Sequence, residues 1–205
     1  MTKSGLETVY DLKSAGDSQS FYDGWAAGYD AELAKNGYVT PQRAAEALAE
    51  HATAPWAPLI EFGCGTGLGG AALAAAGFEC IDGFDISSEM LSRAGEKQLY
   101  RTLSPLDMSQ PLESVPEDIY QNAAAIGVLN PSFMPSTVLD EILARLPSGG
   151  CLVFSLNDHA LSEGSFEVRL LELLEYGVAD LLIKDHGEHL PGIDLKSTIY
   201  LLKKR

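Results

Sequence analysis

Positive charge is scarce in this sequence. Lys and Arg number 14 against 29 Asp and Glu in 205 residues, a formal net charge of −15. Nucleic-acid binding needs clustered cations to meet phosphates, so this balance excludes DNA and RNA as bulk partners. It also disfavours an anionic membrane surface. Cysteine is scarce too. Cys64, Cys80 and Cys151 have no C-x-x-C spacing, which offers neither a disulfide framework nor a metal set and fits a reducing cytoplasm. No apolar run reaches the roughly 18 residues of a membrane span. The first 20 residues mix Glu7, Asp11 and Asp17 with lysines and hold no apolar stretch, so no signal peptide is expected.

What is present is a core. Apolar residues make up 46% of the chain, and disordered chains pair high charge with low hydrophobicity. The length suggests one domain over residues 1–205. Residues 1–54 read as a helical cover and 55–205 as a sheet core. The first 17 or so residues are polar and expected to be loosely ordered. Phe21, Tyr22, Trp25 and Tyr29 then recur at helical spacing up to Asn36-Gly37, a helix stop. Thr40 reads as an N-cap with Pro41 as the first helical residue of a second helix.

From residue 57 strands and helices alternate. Strands are expected over 57–62, 78–84, 100–103, 122–129 and 151–156, with helices over 67–76, 87–96, 136–146 and 165–176. Two strand-like runs, 178–184 and 197–203, are joined without a helix and read as an antiparallel pair. Residues 185–196 between them read as a polar loop with a Pro-Gly turn. The pattern is an α/β fold: a doubly wound, Rossmann-like, seven-stranded, mainly parallel sheet with an antiparallel C-terminal edge and an N-terminal helical cover.

The strongest local signal is Ile60-Glu61-Phe62-Gly63-Cys64-Gly65-Thr66-Gly67, placed after a strand and before a helix. Glycines there let the chain turn tightly and let a ligand approach backbone. Two cofactor readings compete. Gly65-Thr66-Gly67-Leu68-Gly69-Gly70 matches the dinucleotide pattern G-x-G-x-x-G. The alternative is E-x-G-x-G-x-G, with Glu61 at the strand end. An acid beside a pyrophosphate repels it, whereas the ammonium and sulfonium of S-adenosylmethionine welcome one. Asp85, 18 residues after Gly67 at the end of the second strand, is where a carboxylate can accept from ribose hydroxyls. It serves either cofactor equally, and it also has a plain capping role before Ser87.

Together, Glu61 to Gly67, Asp85-Ile86-Ser87-x-x-Met90-Leu91, Leu106-Asp107-Met108 and Leu146-Pro147-Ser148-Gly149-Gly150 resemble the class I S-adenosylmethionine-dependent methyltransferases. Tyr22-Asp23-x-Trp25-Ala26-x-x-Tyr29-Asp30 resembles small members, including the Williams–Beuren-region methyltransferase-like proteins. The resemblance implies a residue set for the cofactor. Glu61, Gly63, Cys64, Gly65, Thr66 and Gly67 would line its methionine part. Asp85 would bind the ribose, and Ile86 and Met90 would flank the adenine. Asp107 would accept from the adenine amine, with the Met108 backbone donating to the ring. Gly127, Val128 and Leu129 would pass beside the sulfonium, with Tyr29, and Trp25 near it, closing over the methionine end. One departure is Tyr120-Gln121, where the family often carries Tyr-Asp.

Other features carry less. Asn130-Pro131-Ser132-Phe133 is similar to the Asn-Pro-Pro-aromatic motif of amino-methyltransferases, but Ser132 replaces a proline and the motif sits too far along. Asn130 is expected at the mouth of the site. His159 follows the fifth strand and is a candidate base against a surface-loop reading. Asp185, His186, Glu188 and His189 read as solvated charge rather than a metal cluster. Tyr29, Asn130 and His159 are thus the candidates for catalytic roles. The reading is a methyltransferase acting on a small soluble molecule, its acceptor pocket set between the aromatic helix and the segments 130–136, 157–164 and 185–196. A cofactor-binding regulator and an NAD-dependent oxidoreductase remain alternatives at this level.

Overall fold

A computed structural model describes residues 5–9, 15–52, 54–106, 112, 115–116, 119–131 and 134–205. Asp107, Met108, Ser132 and Phe133, singled out in the sequence, lie outside them.

Short apolar runs make the strands. β1 (Leu59–Phe62), β2 (Ile81–Asp85) and β4 (Asn122–Ala125) are buried at every position, and β5 (Cys151–Asn157) at all but its last. Strands buried on both faces demand helices on both faces, and parallel neighbours demand crossovers. β3 (Thr102–Pro105), β6 (Ala179–Leu190) and β7 (Leu195–Lys204) complete a seven-stranded sheet of order β3-β2-β1-β4-β5-β7-β6. β1 to β5 run parallel. β7 is antiparallel to both neighbours and inserts between β5 and β6, so β6 is the outermost strand. The chain leaves β1 for β2 on one side and later returns to pair β4 on the other. That reversal opens a crevice at the carboxyl ends of β1 and β4.

Alternation along each strand divides the core. Leu59, Ile81, Val153 and Leu201 pack on one face with Ala44 and Leu48 of α3 (Thr40–His51) and Leu73 of α4 (Leu68–Ala75). Ile60, Phe154, Tyr200 and Leu202 pack on the other face. Their partners are Leu139 and Ile142 of α6 (Val138–Ala144) and Phe166 and Leu170 of α8 (Ser165–Glu175). The Phe154 and Tyr200 rings stack at 4.9 Å. A third, smaller cluster joins the cover to the tip of the β6–β7 hairpin. It holds Leu6 from α1 (Gly5–Val9), Leu33 from α2 (Ala15–Lys35), Leu190 and Leu195.

Several expectations are corrected. A helical turn, α1, forms within the segment read as loose; Glu32 of α2 accepts from the amides of Gly5 and Leu6. Val39, not Thr40, occupies the N-cap of α3, and Thr40 is fully buried. The fourth strand stops at Ala125 rather than Leu129. Residues 185–190 are not loop: β6 runs to Leu190 and turns through a 3₁₀ turn at Pro191–Ile193. Residues 158–163 form a short helix, α7 (Asp158–Glu163), capped by Asn157 Oδ1 accepting from Ala160 N at 3.0 Å. Among the described residues no helix is long and apolar enough to cross a membrane.

Asp82 anchors the start of β2. It is 2% exposed and accepts hydrogen bonds from Arg101 Nε at 2.9 Å and Tyr120 Oη at 2.9 Å. Burial pushes its carboxyl up, but bonds from Arg101, Thr102 and Tyr120 outweigh that and hold it below the usual range. Tyr120 is thus a structural residue here. Asp82→Ala leaves the buried Tyr120 hydroxyl without this acceptor and should cost about 1–3 kcal/mol in urea denaturation at neutral pH. The difference from wild type should shrink as pH falls below the ordinary Asp range.

Candidate functional site

The turn after β1 is built by glycine. Gly63, Gly65 and Gly67 have φ of +64°, +54° and +91°, a region that side chains rarely adopt. A Cβ on Gly63 would also lie 2.2 Å from Val128 Cγ2. A Cβ on Gly65 would meet nothing within 4 Å, so the backbone there faces open space. The turn is tied to the neighbouring strand end. Gly65 N donates to Asp85 Oδ2 at 2.8 Å, and Ser87 N donates to Asp85 Oδ1 at 2.9 Å. Ser87 Oγ accepts from Met90 N at 3.1 Å and caps α5 (Ser88–Glu96). Asp85 therefore organises two loops and still lines a cavity.

Glu61 sits below the same turn, 1% exposed. Its Oε2 accepts from Tyr100 Oη at 2.8 Å. A Cβ on Gly69 would lie 1.8 Å from Oε1, which explains a glycine inside α4. Burial pushes the Glu61 carboxyl up to about 8, with the Asp85 charge adding to the rise and the Tyr100 bond opposing it. Burial also raises Asp85 above its usual range against the pull of the Ser87 and Gly65 amides. Cys64 is pushed up by burial and then by both acids, so its thiol stays protonated and unreactive.

The cavity around these groups also takes in Cys64, Thr66, Ile86, Met90, Gly127 and Val128, with Tyr29 from α2. Gly67 turns away from it, packing behind the turn near Tyr100 and Lys97. Leu129 lies in the core and lines a neighbouring hollow instead, because the chain turns at Gly127 (φ +71°) directly after β4. No Lys or Arg lines the cavity among the described residues. Two polar latches on α2 close its outer side. Asp30 accepts from Thr66 Oγ1 and, at 2.8 Å, from Lys97 Nζ; Asp23 accepts from Ser87 Oγ.

Tyr22, Tyr29, Tyr38, Gly127 and Val128 form the wall between this cavity and the second hollow of about 180 Å³. Asn130, His159 and Trp25 all border the second hollow. Trp25 contacts Tyr29 edge-on at 4.7 Å and donates Nε1–H to Glu32 at 2.8 Å. His159 is exposed on α7. Tyr29 is raised well above its ordinary value by burial and then by the neighbouring Tyr38, Tyr22, Asp85 and Asp30. Its hydroxyl therefore keeps its proton.

Two residues of this hollow escaped the sequence reading. Tyr38 follows the Asn36-Gly37 stop and reaches over Gly127, where a Cβ would lie 2.5 Å from its hydroxyl. His189, read as solvated charge, is 6% exposed and lines the hollow. Hairpin symmetry about residues 191–194 was the available signal, since it extends β6 to Leu190. His186 stays exposed, and no set of three or more metal-ligating side chains occurs among the described residues.

Comparison with known proteins adds three findings. A family model described as a methyltransferase domain matches residues 33–197. Human methyltransferase-like protein 27 is 33% identical over 183 residues, covering 87% of this chain and 74% of that protein. Two solved structures share the fold at low identity. Magnesium protoporphyrin IX methyltransferase from Synechocystis PCC 6803, with bound S-adenosylhomocysteine, aligns with a TM-score of 0.66 at 15% identity, over 93% of this chain and 99% of that one. Geranyl diphosphate C-methyltransferase from Streptomyces coelicolor A3(2) aligns with a TM-score of 0.59 at 13% identity, over 78% of each chain.

The raised carboxyl of Glu61 makes a stability prediction. Its folded value of about 8 lies above the ordinary 4.5. The folded protein holds a proton that the unfolded chain releases, so Glu61 destabilises the fold progressively as pH rises between those values. Glu61→Gln should raise the melting temperature of the ligand-free protein, with little gain near pH 4.5 and the largest gain near pH 8. A gain that falls with pH in a scanning calorimeter contradicts the buried, protonated carboxyl.

Proposed function

The chain belongs to the class I S-adenosylmethionine-dependent methyltransferases, and we propose that it moves the cofactor's methyl group to a small-molecule acceptor by in-line displacement. The observation that carries this reading is the pair of buried acids, Glu61 and Asp85, in one cavity around an open glycine turn. S-adenosylmethionine, when bound, supplies a methyl group already activated on a sulfonium. The residues present suit it. A carboxylate has about four lone-pair directions, and two backbone amides use only part of the capacity of Asp85, leaving room for ribose hydroxyls. Glu61 offers negative charge to the ammonium. Gly63, Cys64, Gly65 and Thr66 give the methionine part a backbone cradle. Ile86 and Met90, with Leu106 and Met134 opposite the turn, supply apolar walls for a purine. A dinucleotide reading places a pyrophosphate against two acids in a wall that, among the described residues, has no Lys or Arg, which electrostatics opposes.

Gly127, Val128 and Tyr29 stand where the two hollows meet, the place for the reacting methyl. The acceptor then occupies the second hollow, bounded by α2, Asn130, α7 and the end of β6. The chain's own residues orient the acceptor and exclude water, which supplies much of the rate when the donor is already activated. Tyr29 contributes a hydroxyl donor, not a base. His159 and Asn130 stand at the rim. The geranyl diphosphate enzyme was solved with its small substrate, which supports a small acceptor here.

Incubation with methyl-labelled cofactor and a metabolite extract should give a labelled small-molecule product. A purely regulatory binder holds S-adenosylhomocysteine and transfers nothing. Asp85→Ala should weaken S-adenosylhomocysteine binding by about 1–3 kcal/mol by calorimetry; unchanged affinity counts against the ribose role. Affinity for S-adenosylhomocysteine should also rise with pH from about 6 to 8 and release a proton. Glu61, at about 8 in the free protein, ionises to face the ammonium. Binding heats identical in buffers of different ionisation enthalpy contradict that coupling.

A further inference from the structure

We propose that the second hollow selects its acceptor through His189, whose Nε2–H donates to a carbonyl or carboxylate oxygen on a ring-sized planar molecule; this rests on the methyl-transfer reading above. His189 sits near the end of β6 on the hollow's wall. Its Nδ1 lies 2.7 Å from Thr40 Oγ1, and Thr40 Oγ1 lies 2.9 Å from Ser197 Oγ. Ser197 Oγ accepts from Arg43 Nη1 at 3.2 Å. Arg43 also donates to Glu188 O at 2.7 Å and pairs with Asp185 at 2.8 Å.

The chain has a direction. Guanidinium only donates, so the hydroxyl hydrogens run away from Arg43. Ser197 donates to Thr40, and Thr40 donates to His189 Nδ1. Every hydroxyl hydrogen then has an acceptor. The reverse direction strands the Ser197 hydroxyl hydrogen at a fully buried residue. Nδ1 is therefore an acceptor, and the ring hydrogen sits on Nε2. Among the described residues the one polar side-chain atom that is both sealed in and unpartnered is Asn122 Nδ2, at the start of β4. Among the described residues His189 Nε2 meets no hydrogen-bond partner, so it opens on the hollow that His189 lines.

Burial, then the Arg43 charge, lower the imidazole to about 4, with His159 adding to this and Asp158 opposing it. The ring stays neutral at physiological pH, a donor rather than a base. The facing walls are aromatic: Tyr22, Trp25, Tyr29 and Tyr38. A volume of about 180 Å³ is on the scale of the roughly 150 Å³ cavity that accepts benzene. Flat walls, that volume and an oriented Nε2–H donor backed by Arg43 suit a ring bearing an oxygen acceptor; Glu163, the acid on this wall, is exposed and accepts from Ser165 N at 2.9 Å.

The test uses the full chain saturated with S-adenosylhomocysteine and three probes: benzoate, benzamide and benzylamine. Benzoate or benzamide should bind at least about tenfold more tightly than benzylamine, and the better of the two tells a carboxylate from a neutral carbonyl. His189→Leu should erase that preference with S-adenosylhomocysteine affinity unchanged, since His189 does not line the cofactor cavity. His189→Gln, whose side-chain amide can donate from the Nε2 position, should restore it. On the wild-type complex, nitrogen-15 spectra should show the Nε2–H tautomer from about pH 5.5 to 8, perturbed by the oxygen-bearing probe. An Nδ1–H tautomer, equal binding of benzylamine, or binding by none of the probes overturns the proposal. Failure of S-adenosylhomocysteine itself to bind overturns the cofactor reading instead, so the two failures are distinguishable.

Discussion

Gly65 donates its amide to Asp85 Oδ2 across the ends of two adjacent parallel strands. The site depends on that bond. It fixes the turn after β1 relative to the turn after β2, and the second oxygen of Asp85 fixes the start of α5 through Ser87 N. One carboxylate thus sets the separation of the two loops that form the cavity. Positive φ at Gly65 makes the bond sterically accessible, and the sheet register, Phe62 beside Phe84, brings the partners level.

Around that bond the protein gathers two buried acids in one cavity. Glu61 is buried with a tyrosine hydroxyl as its partner, and Asp85 with backbone amides. Among the described residues neither is neutralised by Lys or Arg, and burial raises both. Such a pair is costly in the free protein and becomes favourable beside a cationic ligand. The contrast with Asp82 is instructive. It has the same residue type on the same strand, but Arg101 and Tyr120 hold it ionised. Its role is structural.

Much of this was legible in the sequence. Glu61, the spaced glycines and Asp85 stand at strand ends that apolar runs announce, and the alternation of strands and helices forces a doubly wound sheet. The boundaries that failed did so for physical reasons. Thr40 looked like a cap because threonine before proline usually caps a helix; here its hydroxyl is taken by His189 and Ser197, 149 and 157 residues away in sequence. The 185–190 segment looked solvated because its side chains are polar, yet the ten-residue β7 pairs with all of it but His189, which falls at a register shift and whose carbonyl accepts from Val39 N instead.

The sequence by itself determined the fold class, the position of the glycine turn and the acids beneath it, because each rests on local periodicity or on residues close in the chain. The tertiary structure alone decided which residues enclose the second hollow. Tyr38, His189 and the Arg43–Ser197–Thr40 relay come from a helix, its preceding turn and a hairpin far apart in sequence. Their meeting depends on the β6–β7 hairpin tip packing Leu190 and Leu195 against Leu33 of α2. Long-range apolar packing of that kind leaves no periodic trace, so a histidine in a polar stretch reads as surface until the hairpin is folded over it.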